Sequence, residues 1–133
     1  MKSIINKKVL KYSIVTGDFN KIVLTNKDAH NTIRDADVII IDEYINREIV
    51  EQLIRSNIML YKVSLNGNYK ERTEDLNQLI VDLARVHGHV VHIRGLNYRL
   101  FDQSFDSINY IQSLNIETSI MNLNVFWPQQ LLN

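Results

Sequence analysis

The order of apolar and polar positions is most regular between Asp37 and Tyr69, which read DVIIIDEYINREIVEQLIRSNIMLYKVSLNGNY. An apolar run over 38–41 stops on two acids, Asp42 and Glu43. An amphipathic stretch follows, then a second apolar run over 58–65 that ends at Asn66-Gly67-Asn68. Parallel strands covered on both faces are continuously apolar, so 38–42 reads as a buried central strand. The stretch over about 44–55 places Ile45, Ile49, Val50, Leu53 and Ile54 on one helical stripe. A compact helical crossover makes the two flanking strands parallel, with right-handed connection.

The rest of the chain extends this alternation. Leu10, Tyr12 and Ile14 alternate with Lys11 and Ser13, so 9–16 reads as a strand, and 21–25 as another. Gly17-Asp18-Phe19-Asn20 between them forms a hairpin loop; alternatively, 9–16 belongs to the main sheet and Gly17 opens a functional loop. Residues 26–34 make a short helix capped by Asn26, with Asp28 in its first turn. The helix over 74–87 has Thr73 as its cap, an apolar face of Leu76, Leu79, Ile80, Leu83 and Ala84, and Gly88 as its stop. A third short strand follows at 89–93. Asp102 or Ser104 starts a further helix to about 114, burying Phe105, Ile108 and Ile111. In the last strand, 116–126, Met121, Leu123 and Val125 alternate with Asn122 and Asn124, as an antiparallel edge strand does. The predicted fold is a single α/β domain over 1–133: a Rossmann-like three-layer αβα arrangement with a mostly parallel central sheet, an N-terminal β-hairpin and an antiparallel C-terminal edge strand.

Composition narrows the function. At 133 residues the chain buries roughly two-thirds of its unfolded surface, enough for its own core. Lys plus Arg and Asp plus Glu number 15 each, so the formal net charge is zero and no broad nucleic-acid surface is expected. The absence of cysteine excludes disulfides and thiolate metal sites and fits a reducing compartment. No apolar run approaches the ~20 residues that span a bilayer, and MKSIINKKVLKY lacks the core of a secretory signal. A cytoplasmic protein is expected, without a membrane partner. Abundant Asn and Ile, with four Gly and one Pro, suggest an AT-rich genome such as that of a virus, a phage or a low-GC bacterium. If viral, it would act in the host cytoplasm.

Ligands of open parallel sheets bind outside the carboxyl ends of the strands. That rule draws attention to Asp42-Glu43 and to the Asn-Gly-Asn turn. An acid pair after an apolar strand has the form of a Walker B element: one carboxylate binds Mg²⁺, and the next orients or deprotonates a nucleophile. The plainer reading is that the acids cap the next helix. His87 closes a helix, and His89 and His92 lie an odd number apart on a strand, so they face opposite sides of the sheet and form no metal cluster. Arg94 ends another strand. With Arg99 it suits a phosphate or carboxylate, or both are solvated loop charges. No G-x-S-x-G elbow is present. Phe126 and Trp127 are either core or a partner-binding anchor.

VIIIDE, a helix, an apolar strand and then LNGNYKERTEDLNQLIVDLARV resemble the central part of P-loop-type thymidine kinases, over about 37–91. The matching positions are Asp42-Glu43, then Leu65, Asn66, Gly67, Asn68 and Tyr69, then Leu79, Ile80 and Ala84. The resemblance implies that Asp42 assists Mg²⁺, that Glu43 is the general base, and that Asn66, Gly67 and Tyr69 approach a nucleoside; Arg94, at a third strand end outside the resemblance, would converge on them if the three strands are neighbours. The chain departs from the family in lacking the phosphate loop: Gly17 and Lys21 have neither the spacing nor the second glycine. It also has Tyr44-Ile45 in place of Gln and an aromatic, Asn66 in place of Asp, and no zinc cysteines. The implied protein is a degenerate nucleotide-kinase-like core used as a non-enzymatic interaction domain. It would bind a protein partner or a second copy of itself through its Asn-rich edge strand. The alternative is a nucleotide- or nucleoside-binding, kinase-like domain that uses the strand-end acids with Mg²⁺. The chain is an enzyme only under the second reading, and both stay open at this level.

Overall fold

The computed structural model describes residues 9–18, 26–64, 68–95 and 98–123. Strands and helices alternate through them: β1 (Lys11–Gly17), α1 (Lys27–Arg34), β2 (Val38–Asp42), α2 (Arg47–Glu51), β3 (Met59–Val63), α3 (Tyr69–His87), β4 (His89–Gly95), α4 (Tyr98–Ser113) and β5 (Glu117–Asn122). The five strands form one sheet in the order β3-β2-β4-β1-β5. Every pairing is parallel. The α/β architecture with a parallel sheet and a helical layer on each face is as the sequence predicts.

Side-chain alternation sorts the core into two layers. Tyr12, Ile14, Val38, Ile40 and Val90 pack with Leu76, Ile80, Leu83 and Ala84 of α3 and Ile108 and Ile111 of α4. Val15, Ile39, Ile41, Val91 and Ile93 pack on the other face with Ala29 and Ile33 of α1 and Val50 of α2. The connections through α1 and α2 run one way along the sheet and those through α3 and α4 the other. Right-handed crossovers then put each pair on opposite faces. All five residues of β2 are buried because helices cover both its faces. β3 and β5, at the two margins, are only half-buried.

Three features differ from the expectations. β5 runs parallel to β1, with Lys11 opposite Glu117 and Thr16 opposite Asn122, because α4 returns the chain to the same end of the sheet. β1 has β4 on one side and β5 on the other, so it belongs to the main sheet and offers no edge for a hairpin partner. The other arm of that hairpin, 21–25, lies outside the described residues, as do Phe126 and Trp127. Helix bounds also shift. α3 starts at Tyr69, where the Asn68 side chain accepts from Lys70 N (2.8 Å) and Glu71 N (3.4 Å). Thr73 lies inside that helix, and its hydroxyl donates to the Tyr69 carbonyl at 2.8 Å. α2 is only Arg47–Glu51, capped by Asn46. In α4 the inward positions are Ser104, Ser107, Ile108 and Ile111, while Phe105 is exposed. Asn26 caps α1 and Gly88 ends α3, as expected. Among the described residues, no helix is long and apolar enough to cross a membrane.

Candidate functional site

Inward-facing positions of β2 and β4 begin as an apolar series and end as polar groups: Val38, Ile40, then Asp42; Val90, then His92 and Arg94. The two strands are neighbours, so these polar ends meet beneath α4. His92 Nε2 lies 2.9 Å from Asp42 Oδ1, and Arg94 donates from Nε to Asp42 Oδ2 at 2.9 Å. Arg94 also donates from Nη1 to Ser104 Oγ at 3.2 Å. On the other ring edge, Tyr12 Oη lies 2.7 Å from His92 Nδ1. All five residues are buried. An ionised carboxylate can only accept, so His92 carries its proton on Nε2 and accepts the Tyr12 hydroxyl at Nδ1.

The electrostatics agree with that assignment. Burial, then the nearby Arg94 charge, holds His92 below its ordinary value and keeps the ring neutral, against the pull of Asp42. Burial alone would push the Asp42 carboxyl up. The hydrogen bonds from His92 and Arg94, with the Arg94 charge, outweigh it and hold Asp42 below the usual carboxylate range. Burial drives the Tyr12 phenol far above its ordinary value, with Arg94 opposing and Asp42 reinforcing. The network is a satisfied, closed chain of donors and acceptors that locks β1, β2, β4 and α4 together.

Above it lies the carboxyl rim of the sheet. β2 hands over to α2 on one face and toward β3, whereas β4 hands over to α4 on the other face and toward β5. Connections that diverge in this way leave a crevice at the β2–β4 boundary, where ligands of open α/β sheets bind. β4 stops there on glycine, and Gly17, which ends β1 on the far side of β4, is the register partner of Gly95. Tyr44, in the turn after β2, reaches across the boundary, and its Oη accepts from Gly95 N at 3.1 Å. A Cβ on Gly95 would lie 2.8 Å from that phenol ring. Burial, then the Asp42 charge, pushes the Tyr44 phenol up to about 12.

The residues singled out from sequence fall unevenly on this site. Asp42 and Arg94 are brought together, but beneath the rim rather than on it. Both oxygens of Asp42 accept from protein donors, and Arg94 is turned inward, not toward a ligand. Glu43 is exposed on the rim and accepts from Ser64 Oγ, after β3, at 3.3 Å. Tyr69 opens α3 and donates from its hydroxyl to Asp106 of α4 at 2.8 Å. Asn66 and Gly67 lie outside the described residues. His89 and His92 do face opposite sides: His89 Nε2 lies 2.9 Å from Ser13 Oγ, on the α1–α2 face. Among the described residues, no group of three or more side chains could hold a metal ion. Sequence reasoning missed His92 as a partner of Asp42, Tyr12 as the partner of His92, Ser104 as a partner of Arg94, and Tyr44 as the residue over Gly95. The available signal was register: a polar residue continuing an inward apolar series on a strand must find a buried partner.

Comparison with known proteins overturns the kinase resemblance. No protein-family profile matches the chain. The uroporphyrinogen-III C-methyltransferase of Cyanidium caldarium is 30% identical over 118 residues, covering 87% of this chain and 46% of that protein. The chloroplastic S-adenosyl-L-methionine-dependent uroporphyrinogen III methyltransferase of Arabidopsis thaliana is 22% identical over 110 residues, covering 83% of this chain and 30% of that protein. Among solved structures, the uroporphyrin-III-C-methyltransferase of Thermus thermophilus superposes with a TM-score of 0.65 at 15% identity, over 86% of this chain and 48% of that one. The chain therefore shares its fold with part of the Thermus enzyme, and it spans less than half the length of each protein named. The thymidine-kinase likeness does not hold. It rested on an apolar strand, an acid pair and a helix, a series that parallel α/β folds share, over about 37–91 only. The non-enzymatic interaction domain, the viral or phage setting, and the alternative of a nucleotide-binding kinase-like domain with Mg²⁺ at Asp42 and Glu43 as base, all fall with it: the relatives just named are methyltransferases.

Proposed function

We propose that this chain is the α/β unit of an S-adenosyl-L-methionine-dependent methyltransferase acting on a tetrapyrrole of the uroporphyrinogen-III class. One observation carries the reading: the two sequence relatives and the fold neighbour named above, each aligned over more than four-fifths of the chain, are all uroporphyrin- or uroporphyrinogen-III methyltransferases. The architecture accords with it. A crevice at the β2–β4 boundary, with glycines ending β1 and β4, lets a cofactor approach the backbone closely. S-adenosyl-L-methionine, when bound, supplies an electrophilic methyl group. What the protein adds is alignment of donor and acceptor, which a crevice floored by a locked polar network is suited to hold. A cytoplasmic location is part of this reading.

Cofactor retention is the first test, because the chain spans less than half of each matched relative. Isothermal titration of the chain with S-adenosyl-L-methionine and S-adenosyl-homocysteine is expected to give saturable binding tighter than about 1 mM. Incubation with uroporphyrinogen III and methyl-labelled donor is expected to label the tetrapyrrole. Absence of binding by both nucleosides overturns the reading.

A further inference from the structure

We infer that Tyr69 and Arg72 form a subsite for the acceptor beside the crevice: one pyrrole lies on the Tyr69 phenol, and a carboxylate that it carries pairs with the Arg72 guanidinium. The inference rests on the tetrapyrrole methyltransferase reading above and deepens it. α3 starts beyond the carboxyl end of β3 and returns the chain to β4, passing over β2. Tyr69, its first residue, therefore stands at the rim, on the α3–α4 side of the β2–β4 boundary. Its hydroxyl donates to Asp106 Oδ2 of α4 at 2.8 Å, which holds the ring between the two helices. The Arg72 guanidinium carbon lies 5.9 Å from the ring centroid, within cation–π range. Tyr69 is nevertheless 41% exposed. A phenol fixed at its hydroxyl and at its ring, yet left in water, adds little to the core. What the fixing secures is an aromatic surface already ordered before a ligand arrives.

The chemistry of the acceptor matches this surface. In a porphyrinogen the pyrroles are joined by saturated carbons, so each is a separate small aromatic ring, and each carries carboxylate side chains. A pyrrole stacks on the phenol in the offset or edge-on geometry that aromatic pairs prefer. A carboxylate accepts from the planar guanidinium in a charge-assisted hydrogen bond. Asp106 stands at the hydroxyl end of the ring and repels an acid there, which steers the carboxylate toward Arg72.

The test is calorimetric titration of the parent chain, of Tyr69→Leu and of Arg72→Gln, with uroporphyrinogen III kept reduced under nitrogen and, separately, with S-adenosyl-homocysteine. Each substitution is expected to weaken uroporphyrinogen III about tenfold and to leave S-adenosyl-homocysteine unchanged. Added salt is expected to weaken the parent chain more than Arg72→Gln, because only the parent makes the ion pair. Arg72→Gln keeps the inference falsifiable where Tyr69→Leu fails to fold. A folded variant that holds uroporphyrinogen III as tightly as the parent overturns the inference and leaves the methyltransferase reading standing. Equal loss of both ligands makes the role of the pair purely structural and overturns the inference as well. A parent chain that binds S-adenosyl-homocysteine alone overturns the inference together with the tetrapyrrole part of the reading, and one that binds neither ligand overturns the whole reading.

Discussion

Arg94 and Asp42 face each other across β2 and β4, with Nε 2.9 Å from Oδ2 and both side chains almost wholly out of water. Burial of a charge pair is tolerated only while both members are present, since removing one leaves the other desolvated and unpaired. Asp42→Ala or Arg94→Ala is expected to lose about 3–5 kcal/mol of stability, whereas the double change Asp42→Leu with Arg94→Met loses much less. Urea unfolding measures it: the midpoint falls in the single variants with the slope unchanged, and recovers in the double variant.

Tyr12→Phe deletes only the hydroxyl that donates to His92 Nδ1. The imidazole acceptor is then buried with no donor, a change expected to cost about 1–3 kcal/mol in the same measurement.

The network also sets the response to acid. His92 is held below its unfolded value of 6.5, by burial first and Arg94 second. Below pH 6.5 the unfolded chain takes up a proton there that the folded chain refuses, so stability falls as pH drops from 6.5 toward the folded value. His89, also depressed chiefly by burial, adds the same sign. Asp42 acts in a lower window: its contribution is present above 3.8 and is lost as pH falls through its depressed folded value. Urea midpoints taken from neutral pH down to about pH 5 should decline. His92→Gln should start less stable at neutral pH and decline less steeply.

Gly95→Ala places a methyl group 2.8 Å from the Tyr44 ring. The backbone at Gly95 is not left-handed, so the strand accepts the change and the half-exposed ring moves instead. Loss of burial should let the phenol titrate back from about 12 toward 10. Spectrophotometric titration of the phenolates detects it as one tyrosine ionising at lower pH.

Gly88 ends α3 at φ 105°, and its N–H donates to the Ala84 carbonyl at 2.8 Å. Gly88→Ala keeps the donor but strains the backbone, at an expected cost of about 1–3 kcal/mol. Thermal unfolding measures the loss.

Local pattern carried the architecture. Val38 to Ile41 read as a central strand because a doubly covered strand has no polar face, and α3 read as a helix because Leu76, Ile80, Leu83 and Ala84 recur at its period. The direction of β5 was not legible. Alternation of Met121 and Leu123 marks a half-buried margin but carries no direction; the strand is parallel because α4 crosses over and returns the chain to the same end of the sheet. The site was less legible still. Asp42 was picked as a ligand for being an acid at a strand end, but its partner His92 is 50 residues away and its role depends on which strands are adjacent. Asn68 outcompeted Thr73 as the start of α3 because its side chain could take two backbone donors a turn earlier.

β1 pairs with residues 89–95 on one side and 117–122 on the other. β1 thus waits for these later segments to emerge from the ribosome before its edges are satisfied. Contacts of such long sequence separation slow folding and leave a nascent apolar strand open to wrong partners. Biosynthesis of this chain should therefore be more sensitive to chaperone supply than its finished sheet would suggest.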